Sequence, residues 1–272
     1  MSIIKNAQQI QCMRYAGSLT ARVLEAVEPL VQPGVTTLAL DQFCHDYIVQ
    51  HLKAIPGCLG QYDYPYTINT SVNEVVCHGW PSNTPLLEGD IVNIDVTVKA
   101  EGYYGDSSIT FLVGEVSESA RHLVYITQQS LYRAIAMVKP GVKLGDIGAS
   151  IDEFAQSHGY SVVKEFCGHG IGQQMHEQPD VLHYGVPGQG MMLQEGMTFT
   201  IEPMINQGTA RIKMHADGWT VTTQDKRLSA QFEHTILVTQ TGFEVLTLRD
   251  RERKSFASYL DLENKNDAIH FL

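Results

Sequence analysis

The chain has 272 residues, is 43% hydrophobic and 18% charged, and carries a formal net charge of −11. That length buries a large core as one domain or two modest ones, and the composition has no signature of disorder. The acidic balance argues against a nucleic-acid binder, which needs a basic face for phosphate, and no run of about 18 apolar residues offers a membrane span. Five scattered cysteines, Cys12, Cys44, Cys58, Cys77 and Cys167, are odd in number and form no CxxC pair. They fit a reducing cytosol better than a disulfide frame or a thiolate zinc site. The opening MSIIKNAQQI lacks the charged-then-apolar pattern of a signal peptide.

From Asn6, the residues Ile10, Met13, Ala16, Leu19, Val23 and Leu24 recur at helical spacing and predict a helix to about Glu28, ended by Pro29 and Pro33-Gly34. A second helix starts at Thr37, with Leu40, Phe43, Tyr47, Ile48 and Leu52 as its buried stripe. A loop rich in glycine and tyrosine, PGCLGQYDYPYT, leads to a strand-like segment around SVNEVVCHG. Next comes a hairpin, IVNIDVTVKAEGYYGDSSITF, turning at Lys99 to Gly102. Side chains alternate along its arms, and residues paired across a tight even-residue loop sum to an odd number. Asp95 and Asp106 therefore share a face, opposite or diagonal. Like charges at that distance repel, so the pair implies a cation, a shared proton, or two solvated strand acids.

The plan then repeats. Glu118 to Lys139 is helical, with Leu123, Ile126, Leu131, Ile135 and Val138 inward, and a second helix from about Lys143 to His158 carries Ile147, Ile151 and Phe154. Val31-Gln32-Pro33-Gly34-Val35 matches Val138-Lys139-Pro140-Gly141-Val142, 107 residues on. The same step carries Glu88-Gly89 onto Glu195-Gly196 and Asp95 onto Glu202 in MTFTIEPM. After turn signals at Asp217-Gly218 and Gln224-Asp225, SAQFEHTILV supplies Glu233. A repeat of this length predicts two similar α/β halves about a pseudo-twofold axis. The segment from Arg249, charged and short of apolar periodicity, reads as a peripheral tail.

Two acidic hairpins face to face bring together Asp95, Asp106, Glu202 and Glu233, a charge that needs metal ions. Oxygen-rich ligation favours manganese, iron or cobalt, often in pairs. His169, in the glycine-flanked FCGHGIG, is the candidate imidazole, and His176 follows seven residues later. Taken singly, a histidine in a glycine-rich loop is more often a turn residue and a strand glutamate more often solvated; the conjunction carries the reading. A thiol nucleophile is disfavoured, because Cys77 and His78 are expected on opposite strand faces and Cys167 is expected to pack. His183, His215 and His234 are left as structural. Tyr62, Tyr64, Met204 and Trp219 suit either the core or the apolar wall of a small pocket.

The runs NEVVCHG, EGDIVNIDVTV, GYYGDSS, CGHGIG, GMTFTIEPM, DGWTVTTQD and SAQFEHTILV together resemble type I, bacterial-type methionine aminopeptidases, from about Ile3 to Arg249. The resemblance implies the α+β "pita-bread" fold of creatinase-like enzymes. In it, one catalytic domain over 1–250 has pseudo-repeat halves at about 10–113 and 118–245, and 251–272 form a short tail. It implies metal ligands at Asp95, Asp106, His169, Glu202 and Glu233, with Asp106 and Glu233 bridging two divalent ions (cobalt, manganese, iron or zinc). It further implies substrate contacts by His78 and His176, proton transfer by Glu202, and a methionine pocket at Cys58, Tyr64, Met204 and Trp219. The activity implied is removal of an N-terminal methionine before a small residue, by water activated at the ions. The implied partners are N-termini of nascent polypeptides, with the ribosome left open, no specific nucleic acid and no membrane; the expected state is a cytoplasmic monomer. Met175, Gln61 and Asn69 depart from residues frequent in that family and put pocket shape and rate in question, not the ligands. The rivals are a proline-specific peptidase on the same fold, which usually carries a large extra N-terminal domain, and a non-catalytic binding protein on the scaffold.

Overall fold

A computed structural model describes the chain from residue 3 to residue 269. Helix α1 (Ala7–Val27) is opened by a capping box between Asn6 and Gln9. Helix α2 (Thr37–Asp46), capped by the Thr36 hydroxyl, runs on through a wide turn, Tyr47–His51. Strands β1 (Ile55–Pro56), β2 (Ile68–Val72), β3 (Val75–Cys77), β4 (Ile91–Ala100) and β5 (Tyr103–Leu112) complete the first half. The second half opens with α3 (Glu118–Ala136) and α4 (Leu144–Ser157). Its strands are β6 (Ser161–Val162), β7 (Gly168–Gly170), β8 (Glu177–Val181), β9 (Thr198–Ile201), β10 (Met204–Asn206), β11 (Ile212–Met214), β12 (Val221–Thr223), β13 (Ser229–Gln231), β14 (His234–Val238) and β15 (Phe243–Val245). Helix α5 (Arg253–Ile269) follows. Every strand pairing is antiparallel, giving the α+β architecture expected. Helix α3 stops at Ala136 rather than Lys139: the N–H groups of Met137 and Val138 turn to Ala134 O and Ile135 O in tighter turns, and Lys139, directly before Pro140, is disfavoured in helical geometry.

The alternation in β4 sorts its side chains. Val92, Ile94, Val96 and Val98 enter a core with Leu19, Val23 and Leu24 of α1 and Leu40 of α2. Asn93, Asp95 and Thr97 point to the opposite face. The β4–β5 turn places Glu101 and Gly102 at φ +50° and +78°, and the register pairs Asp95 with Ser108 and Thr97 with Asp106. The two aspartates are therefore diagonal neighbours on one face. A second core packs α3 and α4 against Phe199, Ile201, Ile205 and Ile236.

The repeat is written in the hydrogen bonds. Gly34 N–H donates to Leu86 O and Leu86 N–H to Val35 O; 107 residues on, Gly141 N–H donates to Leu193 O and Leu193 N–H to Val142 O. The bridges Thr36 to Pro85 and Lys143 to Met192 keep the same step. The glycines of both Pro-Gly and both Glu-Gly pairs have positive φ, between 85° and 94°. Along the seam of the halves, hydroxyls join β5 to the β13–β14 segment. Asp106 N–H donates to Thr235 Oγ1, Ser107 Oγ donates to Glu233 O, and Thr110 Oγ1 donates to Gln231 O.

The segment from Arg249 is not peripheral where it begins. Arg249, Glu252 and Phe256 are buried; Glu252 pairs with Arg249 at 2.6 Å and with His234 at 3.2 Å, and Phe256 packs edge-on against Tyr132. Its Arg249 and Glu252 charges neutralise one another, and Glu252 hydrogen-bonds the buried His234, whose protonation burial disfavours, a pattern that apolar periodicity does not register. Residues 270–272 of the expected tail lie outside the described residues.

Gly17 and Gly105 let α1 rest directly on β5, since a Cβ on Gly105 would stand 2.6 Å from Gly17 N. Gly105→Ala is expected to lower stability by about 1–3 kcal/mol through overpacking. Urea unfolding with an unchanged midpoint would contradict this contact.

Candidate metal centre

The face of β4 and β5 that carries the aspartates looks into a cavity of about 880 Å³, within the usual range for a ligand site. The second half completes it by breaking its own ladder. Ile201 pairs with His234 and Met204 with Gln231, so Glu202-Pro203 face Phe232-Glu233 unpaired. Pro203 has no N–H to give. Glu202 N–H donates instead to His183 Nε2 and Glu233 N–H to Ser108 O. Both carboxylates leave the sheet at this break and enter the cavity.

Asp106, His169 and Glu233 offer ligand atoms all within 4.8 Å of one another. His169 Nδ1 bonds Gly170 O at 3.0 Å, which places its proton there and leaves Nε2 with a lone pair. That atom lies 3.8 Å from Asp106 Oδ2 and 3.5 Å from Glu202 Oε1. Two ligands held about 2.1 Å from one ion stand roughly 3–4 Å apart, so this spacing suits a shared cation. Asp95 stands outside that tight group, and its Oδ1 is buried with no hydrogen-bond partner. A bare carboxylate oxygen in the interior is costly unless a cation meets it.

Burial drives the carboxyls of Asp95, Glu202 and Glu233 well above their ordinary range, and mutual repulsion with Asp106 adds to this. Burial raises Asp106 to about 7 despite the Thr97 hydrogen bond. The same desolvation takes His169 to about 3 and His78 to about 4, the nearby His176 imidazole further disfavouring a proton on each. The residues fit divalent metal: excess negative charge, one free imidazole nitrogen, and an uncompensated oxygen.

Every residue anticipated for the site lines this cavity, including His78, His176, Cys58, Tyr64, Met204 and Trp219. The imidazole of His176 lies 4.3 Å from that of His169 and stacks on Tyr62 at 5.7 Å. Tyr64 meets Trp219 edge-on at 4.9 Å, and Trp219 in turn meets His78. The expectation for Cys77 and His78 needs correction: both reach the cavity, because His78 sits past the strand at φ +55° and escapes its alternation. Burial still holds the Cys77 thiol far above the thiolate range, so no thiol nucleophile arises. Cys167 is half-buried at the rim rather than packed.

The sequence reading missed the residues that hold the acids. Thr97 Oγ1 donates to Asp106 Oδ1 at 2.8 Å. Thr200 Oγ1 accepts from His169 N–H at 3.0 Å and donates to Glu202 Oε1 at 2.7 Å. Thr97 lies directly across the hairpin from Asp106 and Thr200 two residues before Glu202, so the hairpin register and the period of two were the available signals. His183, read as structural, supports Glu202 through its backbone.

A model of metallopeptidase family M24 matches residues 11–240. The chain belongs to metallopeptidase family M24. Over 247 residues it is 54% identical to the methionine aminopeptidase of Salmonella typhimurium, covering 90% of this chain and 94% of that one. The crystal structure of methionine aminopeptidase from Rickettsia prowazekii superposes with a TM-score of 0.89 at 49% identity, covering 90% and 99% of the two chains. A prolidase from Pyrococcus horikoshii shares the fold alone, at 23% identity, a TM-score of 0.73, and coverage of 92% of this chain and 65% of that one. The family likeness is thus to the bacterial-type methionine aminopeptidases, and the pita-bread fold is confirmed. Divalent metal is the cofactor class of this family, and the reading as a non-catalytic scaffold is set aside.

The shifts fix a pH dependence for the metal-free protein. Unfolded carboxylates titrate near pH 4, so groups raised in the folded state lose stability as pH climbs through their folded values. The depressed imidazoles behave oppositely: their contribution is complete above about pH 6.5 and is lost only on acidification. Between about pH 6.5 and pH 8 the raised carboxylates dominate the change, and the raised Cys58 and Cys77 thiols act in the same direction only towards higher pH. The melting temperature of metal-free protein is expected to fall from about pH 6.5 to pH 8, and the rise on adding manganese to grow over the same window. A flat or rising metal-free profile there would contradict the buried acidic cluster.

Proposed function

We infer that the chain removes the N-terminal methionine from peptides and nascent proteins whose second residue is small, using two divalent ions held by Asp95, Asp106, His169, Glu202 and Glu233. The observation that carries this reading is the set of four carboxylates, Asp106 and Glu233 buried and Asp95 and Glu202 partly buried, around one free imidazole nitrogen at the floor of a cavity with an aromatic wall. Bound ions supply Lewis acidity and a nucleophile from water at neutral pH. Manganese, iron, cobalt and zinc all suit oxygen ligands with one nitrogen.

The chain's own groups supply the rest. Glu202, oriented by Thr200 and reached by Gln231 Nε2 at 3.4 Å, carries the proton from the attacking water to the leaving amine. His78 and His176 stand above the floor as neutral imidazoles and donate to the scissile amide and the developing oxyanion. Cys58, Tyr64, Met204 and Trp219 form the socket for methionine, whose thioether gains from aromatic contact. A negative floor with its ions favours a free α-amine, which limits cleavage to the first residue. Gln61, Asn69 and Met175 also line the cavity, with Met175 packed against the cluster that includes Met13 and Ile171, so these departures bear on substrate fit.

The proposed partners are free N-termini of nascent polypeptides, met by a monomer. Five free cysteines support a reducing cytoplasm as its compartment, and no helix of the described residues is long and apolar enough to cross a membrane.

The deciding test uses protein stripped by chelator and resupplied with manganese, iron or cobalt. Mass spectrometry on Met-Ala, Met-Leu, Ala-Pro and N-acetyl-Met-Ala peptides is expected to show metal-dependent loss of methionine from free Met-Ala alone. Cleavage of Ala-Pro would move the activity to the proline-specific branch, and no cleavage with any metal would sink the reading. Glu202→Gln is expected to retain the fold by circular dichroism and to lose turnover by roughly 10²–10⁴-fold; near-normal kcat would remove Glu202 from proton transfer.

A further inference from the structure

Asn69 is buried on β2 directly opposite Asp95 on β4. Its Nδ2 lies 3.3 Å from Asp95 Oδ2 and 3.8 Å from Cys58 Sγ. Cys58 Sγ lies 3.2 Å from Thr97 Oγ1, the hydroxyl that donates to Asp106 Oδ1. The two hairpin carboxylates are thus joined through the floor of the apolar socket, and Asn69 is the group through which Asp95 enters that chain.

The four acids are not braced alike. Asp106 receives the Thr97 hydroxyl and the backbone N–H of Ser107, and Glu202 receives Thr200 and Gln231. Among the described residues, Asp95 receives Asn69 at Oδ2 and nothing at Oδ1, which is buried and bare. With Oδ2 held by an amide the carboxylate plane is fixed, Oδ2 keeps one further lone pair, and Oδ1 is left wholly unmet.

We propose that Asn69 is a positioning residue for Asp95: by holding Oδ2 it presents Oδ1 to the second divalent ion and sets how tightly this chain holds that ion. The inference rests on the reading of Asp95 as a ligand of that ion. A thiol here would be a weak donor, and an aliphatic side chain would be none. Partners that orient a metal ligand typically change metal affinity by about 10–100-fold when removed.

The test is calorimetric titration of the metal-free full chain with manganese(II), comparing wild type, Asp95→Asn, Asn69→Leu and Asn69→Ala. Two binding events are expected in wild type, one of them lost in Asp95→Asn. Asn69→Leu is expected to weaken that same event by about tenfold or more and to leave the other unchanged, which also reports an intact fold. Asn69→Ala leaves room for a water to donate in its place and is expected to lose less. Equal affinities in wild type and both Asn69 variants would overturn the role of Asn69 while the two-ion reading stands. A single event in wild type, indifferent to Asp95→Asn, would overturn the two-ion reading and the role of Asn69 with it.

Discussion

The structure turns on four carboxylates, Asp106 and Glu233 buried and Asp95 and Glu202 partly buried, gathered around a single imidazole nitrogen. In water these groups would ionise without difficulty; here desolvation pushes all four upward and keeps His169 neutral. Taking a charge out of water costs several kcal/mol even after relaxation. The fold meets that cost with hydroxyl and amide donors aimed at individual oxygens, and leaves the remainder to divalent metal. Chemistry and stability are coupled for this reason: the groups that would activate water are those that strain the metal-free protein.

The pseudo-twofold arrangement explains how one chain assembles such a floor. Each half buries the apolar face of its strands under a pair of helices and leaves a polar face open. Apposing the two polar faces brings acids from distant sequence into one place. The seam is held by serine and threonine hydroxyls bonded to the backbone of the opposite half. Such short side chains bridge two sheet segments without a thick apolar layer, so the facing acids stay within reach of a shared ion. Symmetry is not kept everywhere. The first half presents its acids from an unbroken hairpin, whereas the second presents them from a ladder interrupted at Pro203.

The cavity has two chemical ends. The floor is lined by carboxyls; the wall is aromatic, thioether and thiol, and His78 and His176 line the same cavity. The hydrogen-bonded chain from Asp95 through Asn69, Cys58 and Thr97 to Asp106 runs along the boundary.

Much of this was legible in the chain itself. The periods of 3.6 and 2 located the helices and the acidic hairpin, the 107-residue echo located the second half, and parity put Asp95 and Asp106 on one face. These are local or repeated patterns, and local sterics enforce them wherever the chain goes. Tertiary structure alone decided which atoms face one another: the free Nε2 of His169, the bare Oδ1 of Asp95, the left-handed turn that sends His78 into the cavity beside Cys77. It also turned the charged segment after Arg249 inward onto His234 and Tyr132. Pairing of buried polar groups depends on which segments the fold brings together, some of them more than a hundred residues apart, and no periodicity along the chain records it.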